Sequence, residues 1–200
     1  QGTPKKIANK IISFKCDYET FYRIHFFSRI AFRLYREVAR FSCFNRESLY
    51  LGAQSALDWL KWLPTSRSFC VKVTGRNQNL RHSHFSALQI KNAIVDLQQS
   101  YLGERSDISL NNPFLVIHVH LNGDEAVLSL QSSLKSLHKR GYRPAMGKAP
   151  LKENLASGLI KITQWDGTRP LIDLMCGSGT FLIEGVSQVL GVPLRVDSHF

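Results

Sequence analysis

Asp173, Gly177 and Gly179 form the pattern with the clearest chemical meaning in this chain. They lie in the stretch RPLIDLMCGSGTFL (169–182), where an apolar run ends in Asp-x-x-x-Gly-x-Gly and passes into residues at helical spacing. Leu171, Ile172 and Leu174 suit a buried parallel strand, and Phe181, Leu182, Val186, Val189 and Leu190 share one face of a helix over 180–190. Strand, glycine turn and helix in that order make a nucleotide-binding turn, because the glycines admit a ligand to the backbone and the first-turn N–H groups face it. Leu182 stands where a dinucleotide fingerprint needs a small residue, and no Lys follows Gly179 as a Walker loop requires. The Asp-x-x-x-Gly-x-Gly form fits S-adenosylmethionine. Asp173, Met175, Cys176, Gly177, Ser178, Gly179 and Thr180 would lie along the ligand's amino-acid part and sugar, with Asp173 pairing to its ammonium or to the turn's own amides. A purely structural connection between strand and helix uses the same residues, so the turn alone leaves both readings open. Helix N-termini lower thiol pKa values, yet Cys176 has no evident base near it and reads as a pocket-lining residue.

A second group of residues suits phosphate rather than cofactor. Arg76, Arg81 and Lys91 are spaced so that a loop and the helix after it could hold phosphates, with Asn77 and Asn79 free to reach bases or sugars; a solvated surface loop has the same spacing. Further on, Lys135, Lys139, Arg140, Arg143, Lys148 and Lys152 all precede the next acid, Glu153. Gly141, Pro144, Gly147 and Pro150 interrupt that run, which therefore reads as an extended cationic crossing between domains. His118 and His120 share a strand face, but no further Cys or His stands near them in sequence, and no metal site is assigned. Phe21, Tyr22, Phe26 and Phe27 could stack on bases; their alternation with Arg23 and His25 favours packing into a core.

The elements that must position these residues follow from periodicity. Strands are expected at 10–15, 30–38, 68–74, 114–121, 126–130 and 170–174, and helices at 17–27, 45–63, 83–101, 154–162 and 180–190. Asn45 caps the second helix and Pro64 ends it, residues 75–79 form a polar turn, and Asn122-Gly123 closes a hairpin. The chain has 200 residues, 44% of them apolar, enough for one or two domains with a real core. A net charge of +11 makes nucleic acid the leading partner class, ahead of acidic membrane surfaces. Cys16, Cys43, Cys70 and Cys176 are far apart, so neither a disulfide framework nor a zinc site is indicated and a reducing cytoplasm is expected. No apolar run reaches membrane-spanning length, and no signal-peptide core opens the chain, so no membrane partner is expected. Gln1 at one end and Phe200 soon after the glycine turn mark the chain as a fragment of something longer.

Several segments, in order, resemble the THUMP-containing class I RNA methyltransferases, especially the bacterial enzymes similar to the large-subunit (23S) ribosomal RNA guanine-N2 methyltransferase. They are Ser28-Arg29-Ile30-Ala31, Leu49-Tyr50-Leu51-Gly52, Val73-Thr74-Gly75-Arg76-Asn77, Lys91-Asn92-Ala93-Ile94-Val95-Asp96, Leu137-His138-Lys139-Arg140-Gly141-Tyr142-Arg143, Ala149-Pro150-Leu151-Lys152-Glu153-Asn154-Leu155-Ala156 and Asp173-Leu174-Met175-Cys176-Gly177-Ser178-Gly179-Thr180. The resemblance implies an α/β protein. Residues 1–60 would be an incomplete ferredoxin-like unit, 61–131 the α+β THUMP RNA-binding domain, and 132–200 a linker and the truncated start of a Rossmann-like methyltransferase domain. It implies S-adenosylmethionine at 173–180, RNA at Arg76, Asn77, Arg81, Lys91, Lys139, Arg140 and Arg143, and methylation of guanine N2 in ribosomal RNA. Transfer RNA or adenine N6 in DNA as the substrate, or an RNA-binding module without activity, are the alternatives. Leu174 replaces the family's Pro at the turn, a change that spares the backbone contacts. The family's Asn-Pro-Pro-Tyr motif and its ribose-binding acid would both lie beyond Phe200, so no catalytic residue is assigned within the chain.

Overall fold

A computed structural model describes residues 3–8, 11–133, 135–142 and 151–194. In chain order its elements are strands β1 (Lys5–Ala8) and β2 (Ile11–Ser13), helix α1 (Tyr18–Phe27), strand β3 (Tyr35–Ser42), helices α2 (Arg46–Ser55) and α3 (Trp59–Trp62), strand β4 (Phe69–Arg76), helix α4 (Ser83–Leu102), strands β5 (Leu115–Asn122) and β6 (Glu125–Gln131), and helices α5 (Glu153–Thr163) and α6 (Thr180–Val189). They divide into two compact units, one of residues 35–132 and one made by the residues before and after it. The expected boundary at 60 falls within α3, inside the first of these; that at 131 falls one residue from its end.

Residues 35–132 form a mixed four-stranded sheet in the order β3-β6-β5-β4. β4 runs parallel to β5, as a crossover through α4 requires, and the other two pairs are antiparallel. Alternation decides the faces. Ile117, Val119 and Leu121 of β5 and Ala126, Leu128 and Leu130 of β6 turn to a core completed by Leu49 and Ala53 of α2 and Ile90, Ala93 and Ile94 of α4. His118 and His120 therefore point to the opposite face. Asn45 caps α2 through a reciprocal bond pair with Ser48. The single helix expected over 45–63 is broken, because Asp58 starts a new one by capping α3, and Trp59 Nε1–H bonds the Ala53 carbonyl across the gap at 2.8 Å. The hairpin turn centres on Gly123-Asp124 instead of Asn122-Gly123, since Asn122 still pairs with Glu125.

The other unit holds the β1–β2 hairpin, α1 capped by Asp17, and α5 packed with α6. Two expected strands are not formed as read. Residues 30–34 do not join β3: the Leu34 N–H goes to Ser133 Oγ at 3.0 Å and the Phe32 carbonyl accepts from the Leu137 N–H at 2.9 Å, which spends ladder groups on Ser133 and Leu137. Residues 170–174 have no strand partner among the described residues, and Ile172 is 78% exposed. A parallel strand exists only by pairing, and an apolar run cannot supply its own neighbour. The aromatic run of α1 is not core either: Tyr22, Phe26 and Phe27 are exposed, and His25 takes the buried place against Phe21.

Candidate functional site

The glycine turn is built almost entirely by local backbone bonds. Asp173 bends inward, its carboxylate accepting the Met175 N–H at 3.1 Å, and the Gly179 N–H closes on the Cys176 carbonyl at 2.7 Å. Gly177 and Gly179 have φ values of 51° and 71°, a left-handed backbone that a side chain resists. Gly179 is also the N-cap of α6, and no side chain caps that helix end. The N-terminal amides of a helix lack intrahelical acceptors, so the turn offers donors and a positive dipole end to a ligand. A Cβ built on either glycine would meet no atom closer than 3.9 Å, so the space before the turn is open for a ligand to approach the backbone. Leu174 and Met175 are 90% and 92% exposed beside it, apolar flanks for a sugar or base. Cys176 is exposed and Thr180 buried, its hydroxyl 3.2 Å from that of Ser178. Conformation, donors and a carboxylate held at the mouth fit an adenosyl amino acid.

In the 35–132 unit, Arg76, Gln78, Asn79 and Arg81 surround a depression of about 790 Å³ together with Phe44, Asn77, Gly123 and Asp124. β4 leads into it through Gly75, whose φ of 75° and whose 1.9 Å separation between a built Cβ and the Leu121 carbonyl oxygen permit only glycine. Arg76 and Arg81 are exposed, with no ion pair among the described residues, and Phe44 presents an exposed ring. Cations beside an open aromatic face are suited to the backbone and bases of single-stranded nucleic acid.

Not every residue read as an RNA contact faces outward. Asn77 is buried: its Nδ2 donates to the Cys43 carbonyl at 2.7 Å and its Oδ1 accepts from the N–H groups of Asn79 and Leu80. Asn79 donates to the Phe44 carbonyl at 2.9 Å. Both carboxamides hold the loop together, a use of Asn that turns commonly make. Arg140 is 7% exposed and donates to Glu184, Ser157 and the Arg29 carbonyl, so it is an internal ion-pair residue and not part of a cationic surface. Lys91 is half-buried eight residues into α4, roughly 12 Å along the axis, and does not line the depression. Lys139 is exposed, and Arg143 lies outside the described residues. His118 and His120 share the Thr74 hydroxyl at 3.1 and 3.0 Å. Burial, then the neighbouring His120 and Lys72, push His118 down to about 4 and keep it neutral. Sequence reading missed Phe44, whose only signal is its place before the Asn45 cap, and Glu184, a lone acid within the apolar run of α6.

Comparison with known proteins gives two family matches: the THUMP domain over residues 45–131, and the family described as RMKL-like, methyltransferase domain, over 140–195. A Synechocystis sp. protein named as a candidate RNA methyltransferase is 42% identical over 90% of this chain and 47% of its own length. The ribosomal RNA large subunit methyltransferase K/L of Vibrio campbellii is 39% identical over 86% of this chain and 24% of its own. A solved structure described as a candidate methyltransferase complexed with SAH superposes with a TM-score of 0.73 at 30% identity, covering 91% of this chain and 48% of that one. The chain thus spans about half the length of the first relative and about a quarter of the second.

Proposed function

We propose that this chain, which joins a THUMP domain over 45–131 to an RMKL-like methyltransferase domain over 140–195, is part of an S-adenosylmethionine-dependent RNA methyltransferase that modifies guanine N2 in large-subunit ribosomal RNA. The observation that carries this reading is the left-handed Gly177/Gly179 turn, opening an uncapped α6 and sitting in the methyltransferase match downstream of the THUMP match. The likeness to proteins named for ribosomal RNA methylation supports the substrate. The exposed Arg76 and Arg81 support capture of its phosphates. With four unpaired thiols, the protein would work in the reducing cytoplasm; no described helix is long and apolar enough to cross a membrane.

When bound, S-adenosylmethionine supplies an activated methyl group. Asp173 would orient the ligand's ammonium, the backbone at Met175, Cys176, Gly177, Ser178 and Gly179 would lie against its amino-acid part and sugar, and the α6 N–H groups from Thr180 would donate to its carboxylate. Arg76 and Arg81, with Lys139, would hold the RNA backbone while a base is brought to the methyl group. The amine of guanine is a weak nucleophile, so alignment supplies much of the acceleration.

Transfer of radiolabelled methyl from S-adenosylmethionine to ribosomal RNA, transfer RNA and duplex DNA, using the full-length protein, tests this reading. Label in ribosomal RNA alone is the expected result. Label in transfer RNA or DNA instead would replace the substrate, and no label in any would leave RNA binding as the function.

A further inference from the structure

Glu184, on the second turn of α6, is fully buried. Its carboxylate is the point where side chains from three other stretches of the same unit converge. Oε2 accepts from Arg29 Nη1 at 3.4 Å, from Ser157 Oγ of α5 and from Arg140 Nη1; Oε1 accepts from the Tyr142 hydroxyl at 2.9 Å. The donors are themselves tied down. Arg29 Nη2 reaches the Ser187 carbonyl at 3.0 Å and that of Val192, gripping the far end of α6, and Arg140 Nη2 bonds the Arg29 carbonyl. Gln188 of α6 adds a bond to the Ser157 carbonyl at 3.2 Å.

This arrangement contrasts with the turn that α6 carries. The bonds described for the turn are its own closures, Asp173–Met175, Cys176–Gly179 and Ser178–Thr180, and Leu174 and Met175 beside it are exposed. It therefore takes its place from the helix. Apolar contacts alone leave a helix free to rotate or slide by small amounts, whereas one carboxylate bonded from several directions fixes both rotation and axial position. Gly185 seats the same turn of helix: a Cβ there would lie 3.0 Å from Leu171 Cδ2 and 3.2 Å from Trp165 Cζ3, so α6 closes directly on the segment that leads into Asp173.

We propose that Glu184, with Arg29, Arg140, Tyr142 and Ser157, is the positioning device of the cofactor turn, setting where the Gly179 and Thr180 amides meet the ligand. The inference rests on the turn's being the S-adenosylmethionine cradle. Glu184 is a positioning residue: it lies five residues along α6 from Gly179 and acts through the helix.

The test uses the full-length protein. E184Q removes the charge and leaves two buried guanidiniums, which threatens folding; the double variant Tyr142→Phe/Ser157→Ala removes two neutral donors and keeps the charged core. For wild type and both variants, SAH binding by calorimetry, KM and kcat for S-adenosylmethionine, RNA affinity and melting temperature are measured. The expected result for the double variant is an SAH Kd and a cofactor KM raised threefold to tenfold, with kcat and RNA affinity unchanged. A merely structural role lowers the folded fraction, and with it kcat, while leaving KM alone. An unchanged Kd and KM in the double variant, with wild type binding normally, overturns the inference by itself. Wild type that binds no SAH overturns the cofactor reading first and this inference with it.

Discussion

Gly177 and Gly179 do their work through φ, which makes them sensitive to the smallest side chain. Gly179→Ala, at a φ of 71°, is expected to strain the turn by about 1 kcal/mol and to weaken SAH binding at least tenfold by calorimetry. Gly158→Ala, inside α5 with open space around it, is the control: it should leave the Kd unchanged and raise the melting temperature slightly. At the depression proposed for RNA, reversing Arg76 and Arg81 to Glu should weaken RNA binding and reduce the slope of log K against log salt by roughly 1.4, the loss of two single-strand phosphate contacts. An unchanged slope would remove both arginines from the interface. The residue types at both places were legible in the sequence; their directions were not. Arg76 and Arg140 look alike in a charge run, but one ends a strand at the surface and the other bonds a buried carboxylate. Asn77 likewise reads as a base contact until its three hydrogen bonds, with Cys43, Asn79 and Leu80, are seen.

Elements with a self-contained signal were legible. The Asn45 cap, the spacing of α4 and the β5–β6 hairpin need no distant partner, and each forms within a residue or two of the expected place. Asn45→Ala should cost about 1 kcal/mol in denaturant unfolding, since it removes the acceptor for the Ser48 N–H. What the sequence did not carry was pairing: residues 30–34 alternate like a strand, but Phe32 and Leu34 bond to Leu137 and Ser133, and 170–174 lack a neighbour among the described residues. The sheet face opposite the helices also sets a pH dependence. His118 titrates near 4 when folded and near 6.5 when unfolded, so the unfolded chain takes up the proton first on acidification. Stability should be full above pH 6.5 and fall as the pH drops towards 4, by at most about 3 kcal/mol from this group. Burial lowers His25 and His138 as well, which adds to the same trend. Unfolding midpoints at pH 7 and pH 5 check this, and His118→Gln should flatten the difference. A stability that rises on acidification would mean that the histidines are charged in the fold.

At the scale of the molecule, a net charge of +11 and the succession of a THUMP match and a methyltransferase match support one division of labour. In the proposed function the cations would hold RNA and the glycine turn the methyl donor. Charge was readable from composition, and the turn from seven residues; the buried Glu184 network that carries the turn was not, because its members lie up to 155 positions apart in the chain. The central claim is methyl transfer to guanine N2 of ribosomal RNA. Its most direct test is to incubate the full-length protein with large-subunit ribosomal RNA lacking the modification and deuterium-labelled S-adenosylmethionine, then digest the RNA and identify labelled nucleosides by mass spectrometry. The account predicts N2-methylguanosine carrying the labelled methyl. Label on adenosine N6, or unlabelled RNA from a protein that binds SAH, would contradict it.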